Sequence, residues 1–163
     1  MKLLNKFFLL TLAIIIGLLV FNGNQQQMMP ELSFKDIDGQ QHHLTDYKGK
    51  TILVIFWATD CPGCIQEMPE LIELHQHYAD KGLTLIGVAM AYDSPKHIQA
   101  MRQDRQLPYL ITWDKTGEFA EKFNRVRVTP THFLIDPQGQ IVMRKIGSLD
   151  MASLKEKLHT MGF

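Results

Sequence analysis

The chain has 163 residues, enough for one domain of ordinary size and a short additional segment. Apolar residues make up 45% of it, including nine phenylalanines, so a hydrophobic core can form. The 17 basic and 17 acidic residues balance, and without a basic stripe or an acidic tail the charge pattern gives no indication of a nucleic-acid partner.

The first predicted element is an apolar segment within residues 1–22. Lys2 and Lys6 precede an uncharged run at residues 7–21, which as a helix would rise about 22 Å against a hydrocarbon core of roughly 30 Å. The run favours an uncleaved membrane anchor, although a cleaved secretory signal also fits its length and a buried core helix is a third reading. In the first two cases the lysines stay in the cytoplasm, and the soluble part is expected on the periplasmic or extracytoplasmic side.

The polar stretch at residues 23–29 predicts a flexible tether, so the soluble domain is expected to span residues 30–163. Its first element is a predicted hairpin at residues 31–44 (ELSFKDIDGQQHHL), which turns at Asp38–Gly39.

Strands and helices then alternate along the chain. Thr51–Trp57 (TILVIFW) is β-branched and aromatic, which predicts a strand buried on both faces. Apolar residues at helical spacing follow from residue 61 to 80, and Pro69 is expected to kink that helix. Later strands are predicted at 83–91, 107–114, 131–136 and 141–147, and later helices at 94–106, 117–124 and 148–163. This order predicts an α/β fold with a mixed sheet and helices on both faces.

The chain keeps only two cysteines, Cys61 and Cys64, in the stretch WATDCPGC. A structural disulfide that closes so short a loop stabilises a fold little. A zinc site normally needs a second ligand pair, which is missing, so no metal or cofactor is predicted. Four histidines are expected to face solvent rather than a metal: His42, His43, His75 and His77. Redox chemistry is therefore the favoured interpretation of the pair.

The position of the pair between a strand and a helix supports this interpretation. Pro62 suits the first helical position, which places Cys61 at the cap. Free backbone N–H groups and the positive end of the helix dipole favour thiolate over thiol at that position. Cys64, one turn further, is expected to be more buried and less acidic, so one sulfur attacks and the other resolves the mixed disulfide. Pro62 and Gly63 fill the turn with little bulk.

Glu67 follows Cys64 by one helical turn, and two interpretations stay open for it. It is either an exposed first-turn carboxylate that interacts with the helix dipole, or a partly buried carboxylate that moves protons during thiol exchange.

Two motifs together resemble a known family. WATDCPGCIQEMP and, some sixty residues later, VRVTPTHFLIDPQGQIV are similar to the thioredoxin superfamily. More narrowly, they resemble the membrane-anchored thiol-disulfide oxidoreductases of the TlpA/ResA type, which share a W-A-x-x-C-x-x-C-x-x-E-x-P signature and a T-P-T-x-F-L-I-D strand. The resemblance spans roughly residues 30–163. It implies a thioredoxin-like fold and protein-disulfide oxidoreductase activity outside the cytoplasm.

The resemblance also implies catalytic roles. Cys61 corresponds to the nucleophile, Cys64 to the resolving cysteine, and together they form the redox-active disulfide. Glu67 corresponds to the acidic residue near the active site.

Substrate binding is implied at three further residues. Pro130 corresponds to the cis-proline of the family, and Thr129 before it is expected to offer backbone hydrogen bonds to the substrate chain. Trp57, the first residue of the signature, is included in the expected substrate site.

Two departures from the family pattern stand out. Asp60 replaces the aromatic residue that usually precedes the first cysteine; its carboxylate either opposes the Cys61 thiolate or is exposed with little effect. Ile55 stands where thioredoxin has a buried aspartate, so a proton carrier, if the site has one, must be Glu67.

The expected partners are exported proteins with disulfides or dithiols, for example in cytochrome c biogenesis, and a membrane thiol electron donor. One alternative is a thiol oxidant on the same fold. Another is a thiol peroxidase, which would want a threonine where Ala58 stands and a proline where Val54 stands. The non-enzymatic alternative is a copper-binding module built from Cys61, Cys64, His132 and methionines.

Overall fold

The computed structural model describes residues 27–163. The strands of this part of the chain are β1 (Ser33–Lys35), β2 (Gln41–His43), β3 (Thr51–Trp57), β4 (Leu83–Ala89), β5 (Leu110–Trp113), β6 (Thr131–Ile135) and β7 (Ile141–Ile146). Its α-helices are α1 (Pro62–Tyr78), α2 (Pro95–Arg105), α3 (Glu118–Lys122) and α4 (Met151–Thr160). Short 3₁₀ segments lie at Leu44–Tyr47 and Ala79–Lys81. Each strand and helix predicted from residue 31 onward is present.

Five strands form one mixed sheet in the order β5-β4-β3-β6-β7. β3 pairs with β4 in parallel and with β6 antiparallel, and β7 continues the sheet as an antiparallel hairpin with β6. β1 and β2 pair with each other in a separate two-stranded hairpin, as predicted. β3 lies in the centre of the sheet, and all seven of its residues are buried.

The two faces of β3 pack against different layers because successive side chains of a strand point to opposite sides. Leu53 and Ile55 belong to a core layer with residues of α1, α2 and α4. Ile52 and Val54 belong to the layer on the other face, which includes Phe119 of α3. Burial of each such side chain stabilises the fold by about 1.5–3 kcal/mol. The prediction of helices on both faces is confirmed.

The first helix carries the cysteines and runs unbroken for 17 residues, through Pro69. Pro69 is exposed, so its ring meets solvent rather than the core. The kink predicted there stays a prediction.

The predicted tether ends earlier than expected. The Ile141 N–H donates to the Gln27 carbonyl, and the Met29 N–H donates to the Gly139 carbonyl, each at 2.8 Å. Met29 is also buried in the core. Residues 27–29 therefore belong to the domain, and the boundary predicted at residue 30 is a few residues late.

The predicted anchor or signal at residues 1–22 lies outside the described residues, as does the tether up to residue 26. From residue 27 onward, no helix combines the length and the apolar character that a membrane span needs.

Two of the four histidines expected in solvent are partly buried instead. The His42 ring is 20% exposed and lies between Asp36 Oδ2, 2.9 Å from its Nε2, and Tyr47 Oη, 3.0 Å from its Nδ1. His75 packs against the Tyr109 ring, and this burial lowers the pKa of His75. The expectation is wrong for both: neighbouring residues of the hairpin and the 3₁₀ segment cover His42, and the distant Tyr109 covers His75. His43 and His77 are exposed.

Candidate active site

The two cysteines form a disulfide across the first turn of α1, with their Cα atoms 5.3 Å apart. Cys61 is the N-cap residue and Pro62 follows at the first helical position, as predicted. The Sγ atom of Cys61 accepts a hydrogen bond from the Cys64 N–H at 3.2 Å. Cys61 is 7% exposed and Cys64 2%, so the less buried cysteine is the one expected to attack.

The loop before Cys61 is held by an aspartate that follows the neighbouring strand. The Thr59 N–H and hydroxyl donate to the two carboxylate oxygens of Asp93, at 2.7 and 2.8 Å. The Cys61 N–H donates to the Ala58 carbonyl at 3.2 Å. These bonds fix the approach to the helix while Asp60 stays exposed. The sequence signature contained no sign of the role of Asp93.

The peptide bond between Thr129 and Pro130 is cis. Pro130 packs beside the cysteine loop, since a Cβ atom on Gly63 would lie 3.5 Å from its Cδ. The Pro130 carbonyl accepts from the Gly147 N–H at 2.9 Å. Within residues 27–163, no backbone hydrogen bond involves the N–H or carbonyl of Thr129, which is half-buried. The loop thus offers an unpaired backbone next to the disulfide.

Glu67 is buried, only 4% exposed, one turn below Cys64. Its Oε1 lies 2.7 Å from Nε2 of His132, a fully buried residue of β6. Its Oε2 has a long contact, 3.5 Å, with the Leu149 N–H. The interpretation of Glu67 as an exposed carboxylate is wrong. The alternative interpretation, a buried carboxylate near the sulfurs, fits this geometry.

Tyr109 also lies near Glu67. Burial raises the pKa of the Tyr109 hydroxyl far above its ordinary value, and the negative charge of Glu67 raises it further. This tyrosine is therefore neutral at physiological pH and adds no charge to the site.

Trp57 lies under the site rather than on its surface. It is 3% exposed, and its Nε1 would lie 3.2 Å from a Cβ atom placed on Gly87. Strand alternation turns Trp57 toward the helices, in the same layer as Ile55. This geometry gives Trp57 a packing role and leaves it almost no surface for contact with a substrate.

Three large apolar side chains are exposed near the loops of the site. Tyr92 precedes Asp93 and is 64% exposed. Val128 and Ile146 are each 55% exposed; Val128 precedes the cis-peptide, and Ile146 pairs in register with Thr131. Of the three, Val128 is next to the cis-peptide loop in the chain.

The copper-binding alternative requires several ligand side chains grouped around one point. Among the described residues, no three His, Cys, Asp or Glu side chains are grouped to hold a metal ion. His132, the histidine considered for copper, has its Nε2 committed to Glu67.

Comparison with known proteins agrees with the geometry. The AhpC/TSA family model matches residues 25–144. The thioredoxin-like protein YneN of Bacillus subtilis (strain 168) is 35% identical over 133 residues, which cover 81% of this chain and 77% of that protein. The thiol-disulfide oxidoreductase ResA of Geobacillus thermodenitrificans (strain NG80-2) is 30% identical over 132 residues, or 80% of this chain and 74% of ResA.

The architecture also matches that of solved structures. The crystal structure of a thiol:disulfide interchange protein, a thioredoxin family protein from Chlorobium tepidum TLS, aligns with a TM-score of 0.77. Its sequence identity is 24%, and the alignment covers 84% of this chain and 97% of the other. At that identity the likeness shows the fold alone, and it confirms the predicted thioredoxin-like architecture.

Proposed function

Since the chain belongs to the AhpC/TSA family of thioredoxin-like proteins, we propose that it is a thiol-disulfide oxidoreductase that reduces disulfides in exported proteins. The observation that carries the proposal is the position of Cys61 at the N-cap of α1, where its sulfur accepts the Cys64 N–H. A backbone donor and the positive end of a helix dipole stabilise a thiolate at that position once the disulfide is reduced.

The reaction begins from the reduced dithiol. The Cys61 thiolate attacks one sulfur of the partner's disulfide, the partner's S–S bond breaks, and the released partner thiolate takes up a proton. Cys64 then gives its proton to Glu67 and attacks Cys61 Sγ, which releases the second partner thiolate and forms the Cys61–Cys64 disulfide. Two electrons pass from the enzyme to the partner, and the second released thiolate receives the proton held by Glu67.

A protein partner suits the surface of the site. Cys61 is only 7% exposed, so a disulfide must be brought against it by contacts around the loop. The unpaired backbone of Thr129 is suited to strand-like pairing with an extended segment of the partner. The exposed side chain of Val128, next to Thr129 in the chain, adds apolar contact beside this backbone.

The cellular setting is also part of the proposal. Lys2, Lys6 and the apolar run at residues 7–21 support an anchor in the cytoplasmic membrane with the domain outside. A thiol donor in the membrane then returns the Cys61–Cys64 disulfide to the dithiol. Exported proteins with cysteine pairs, including those of cytochrome c maturation, are the proposed substrates.

The reduction potential of the Cys61–Cys64 couple tests the direction of the reaction. We expect a value near the roughly −270 mV of reducing thioredoxins. A value near −120 mV, typical of strong periplasmic oxidants, would assign the chain as an oxidant instead.

A further inference from the structure

The contact between Glu67 and His132 joins two residues that are 65 positions apart in the chain. The T-P-T-x-F-L-I-D pattern leaves the position of His132 open, so the resemblance assigns this residue no role. We infer that His132 is a positioning residue, which donates its Nε2–H to Oε1 of Glu67 and so leaves Oε2 to take the proton of Cys64. This inference rests on the proposed function, in which Glu67 accepts that proton.

The two oxygens of the Glu67 carboxylate have unequal surroundings. Oε1 lies 2.7 Å from Nε2 of His132, a distance typical of a charge-assisted hydrogen bond. Oε2 lies 3.5 Å from the Leu149 N–H, at the outer limit of a hydrogen bond. Oε2 therefore keeps lone pairs free for a proton, while Oε1 fixes the orientation of the group.

The surroundings of His132 favour the tautomer that this role requires. Nδ1 is buried and has no hydrogen-bond partner among the described residues. With the hydrogen on Nε2, the unpaired group is a lone pair. With the hydrogen on Nδ1 alone, an N–H would be left unpaired and the Nε2 lone pair would face the carboxylate. Orphaned buried N–H groups are the rarer case in proteins, so the bond to Glu67 selects the Nε2–H form.

Rigid elements hold both residues in place. Glu67 lies three residues after Cys64 on α1, so the two side chains share one face of the helix. His132 lies on β6, opposite Ile55 of the central strand. Ile55 carries no polar group. The neighbouring strand β6 therefore supplies the hydrogen-bond partner of the Glu67 carboxylate, which is His132.

The other titratable groups around the pair do not replace His132. Tyr109 is neutral, because burial raises its pKa. Lys145 lies opposite His132 in β7 but is exposed, and Asp150, next to Leu149, is exposed at the N-cap of α4. Within the described residues, His132 is the only side chain that hydrogen-bonds to Glu67.

The two thiol steps can be separated with the small aromatic disulfide 5,5′-dithiobis(2-nitrobenzoate) in stopped-flow mixing with the reduced protein. Attack by Cys61 releases the first aromatic thiolate and leaves a mixed disulfide. Attack by Cys64 releases the second and closes the Cys61–Cys64 disulfide. The first phase depends on reagent concentration and the second does not, so each step has its own rate and pH profile.

We expect His132→Leu to leave the rate of the first phase unchanged. The second phase is expected to be slower than in wild type at pH values below the midpoint of its pH profile. Loss of the N–H donor removes the hydrogen bond that stabilises the charged carboxylate, so the pH midpoint of the second phase is expected to move up by about one pH unit or more, and the rate at pH values below the wild-type midpoint to fall about tenfold. His132→Gln keeps an N–H donor of similar reach, and its second phase is expected to stay within about threefold of wild type.

The inference is overturned if the second phase of His132→Leu matches wild type, or if His132→Gln moves as far as His132→Leu. Should His132→Leu fail to fold, His132→Asn takes its place, because its shorter amide does not reach Oε1; it must then show the upward shift. Failure of the proposed function looks different. If wild type releases no second aromatic thiolate, the cysteine pair does not act as a dithiol and the proposed function fails. If Glu67→Gln leaves the second phase unchanged, Glu67 does not accept the proton of Cys64, whatever the His132 variants do.

Discussion

Glu67 Oε1 lies 2.7 Å from Nε2 of His132, across the boundary between α1 and β6, and neither side chain has meaningful contact with solvent. A buried pair of this kind makes each partner depend on the other. Removal of one member leaves a buried polar group without its hydrogen bond, which costs far more than the pair contributes as a whole.

Stability measurements on Glu67 variants follow from this dependence. We expect Glu67→Ala to lower the free energy of unfolding of the oxidised protein by about 1–3 kcal/mol, because the buried Nε2–H of His132 loses its acceptor. Glu67→Gln is expected to cost clearly less, since its amide oxygen still accepts from His132. Urea denaturation gives both values. Glu73→Ala is the control because Glu73 forms only an exposed pair with Lys155, expected to contribute less than about 1 kcal/mol. Equal costs for the alanine variants at 67 and 73 would contradict the buried-pair account.

Trapping of a mixed disulfide tests the division of labour between the cysteines. We expect reduced Cys64→Ser to form a stable mixed disulfide with a disulfide-bonded protein such as insulin, because Cys61 attacks and nothing resolves the product. Cys61→Ser is the matched control and is expected to trap little, since Cys64 is the more buried thiol. Non-reducing electrophoresis and mass spectrometry identify the adduct. More adduct on Cys61→Ser than on Cys64→Ser would reverse the two assignments.

Close packing under the site predicts the effect of a single added methyl group. A Cβ atom at Gly87 would lie 3.2 Å from Trp57 Nε1 and 3.4 Å from Tyr109 Cε2. Gly87→Ala is therefore expected to destabilise the protein by about 1–3 kcal/mol and to change its near-UV circular dichroism. Gly63→Ala is the control, because its Cβ would make only ordinary contacts, 3.5 Å from Pro130 Cδ and 3.6 Å from Ser148 Oγ. Two variants of equal stability would show that Trp57 is free to move.

The N-terminal hairpin has a pH-dependent contribution to stability through Asp36. Burial alone would raise the pKa of Asp36, but hydrogen bonds from His42 and from the N–H groups of Gln40 and Asp38 hold it below the ordinary 3.8. A lowered pKa in the folded state stabilises the fold above the ordinary value, and this contribution is lost as the pH falls through the folded-state value.

Asp36→Asn is therefore expected to lower stability by about 1 kcal/mol at neutral pH, with the difference fading below pH 3.8. Thermal unfolding across this range measures it. The exposed Asp104→Asn is the control and is expected to differ little from wild type at either pH. A deficit in Asp36→Asn that grew toward low pH would contradict the sign of this linkage.

Local rules predicted the centre of the site correctly. Pro62 after a strand fixed Cys61 at the helix cap, and the β-branched run gave β3 its bounds without change. The packing of Trp57 under the site also had a local signal, because strand alternation puts residue 57 on the same face as residue 55. Strand alternation indicates packing for Trp57, whereas its place in the family signature predicts a role in the substrate site.

Contacts between distant segments were beyond local rules. The bond between Glu67 and His132 depends on the register between β3 and β6 and on the height of α1 over the sheet. The pairing of Met29 with Gly139 depends in the same way on a turn more than a hundred residues later. The segments around Glu67 and Met29 contain no periodic pattern that identifies the residue each one pairs with.

The acidity of Cys61 in the reduced protein tests the central claim most directly. The rate of alkylation by iodoacetamide, followed by mass spectrometry at Cys61 as a function of pH, reports the fraction of thiolate. The N-cap position predicts a midpoint at least one pH unit below the roughly 8.5 of an unperturbed cysteine, with Cys64 reacting far more slowly. A Cys61 midpoint at or above 8.5 would contradict the account, because the helix terminus would then give the sulfur no advantage as a nucleophile.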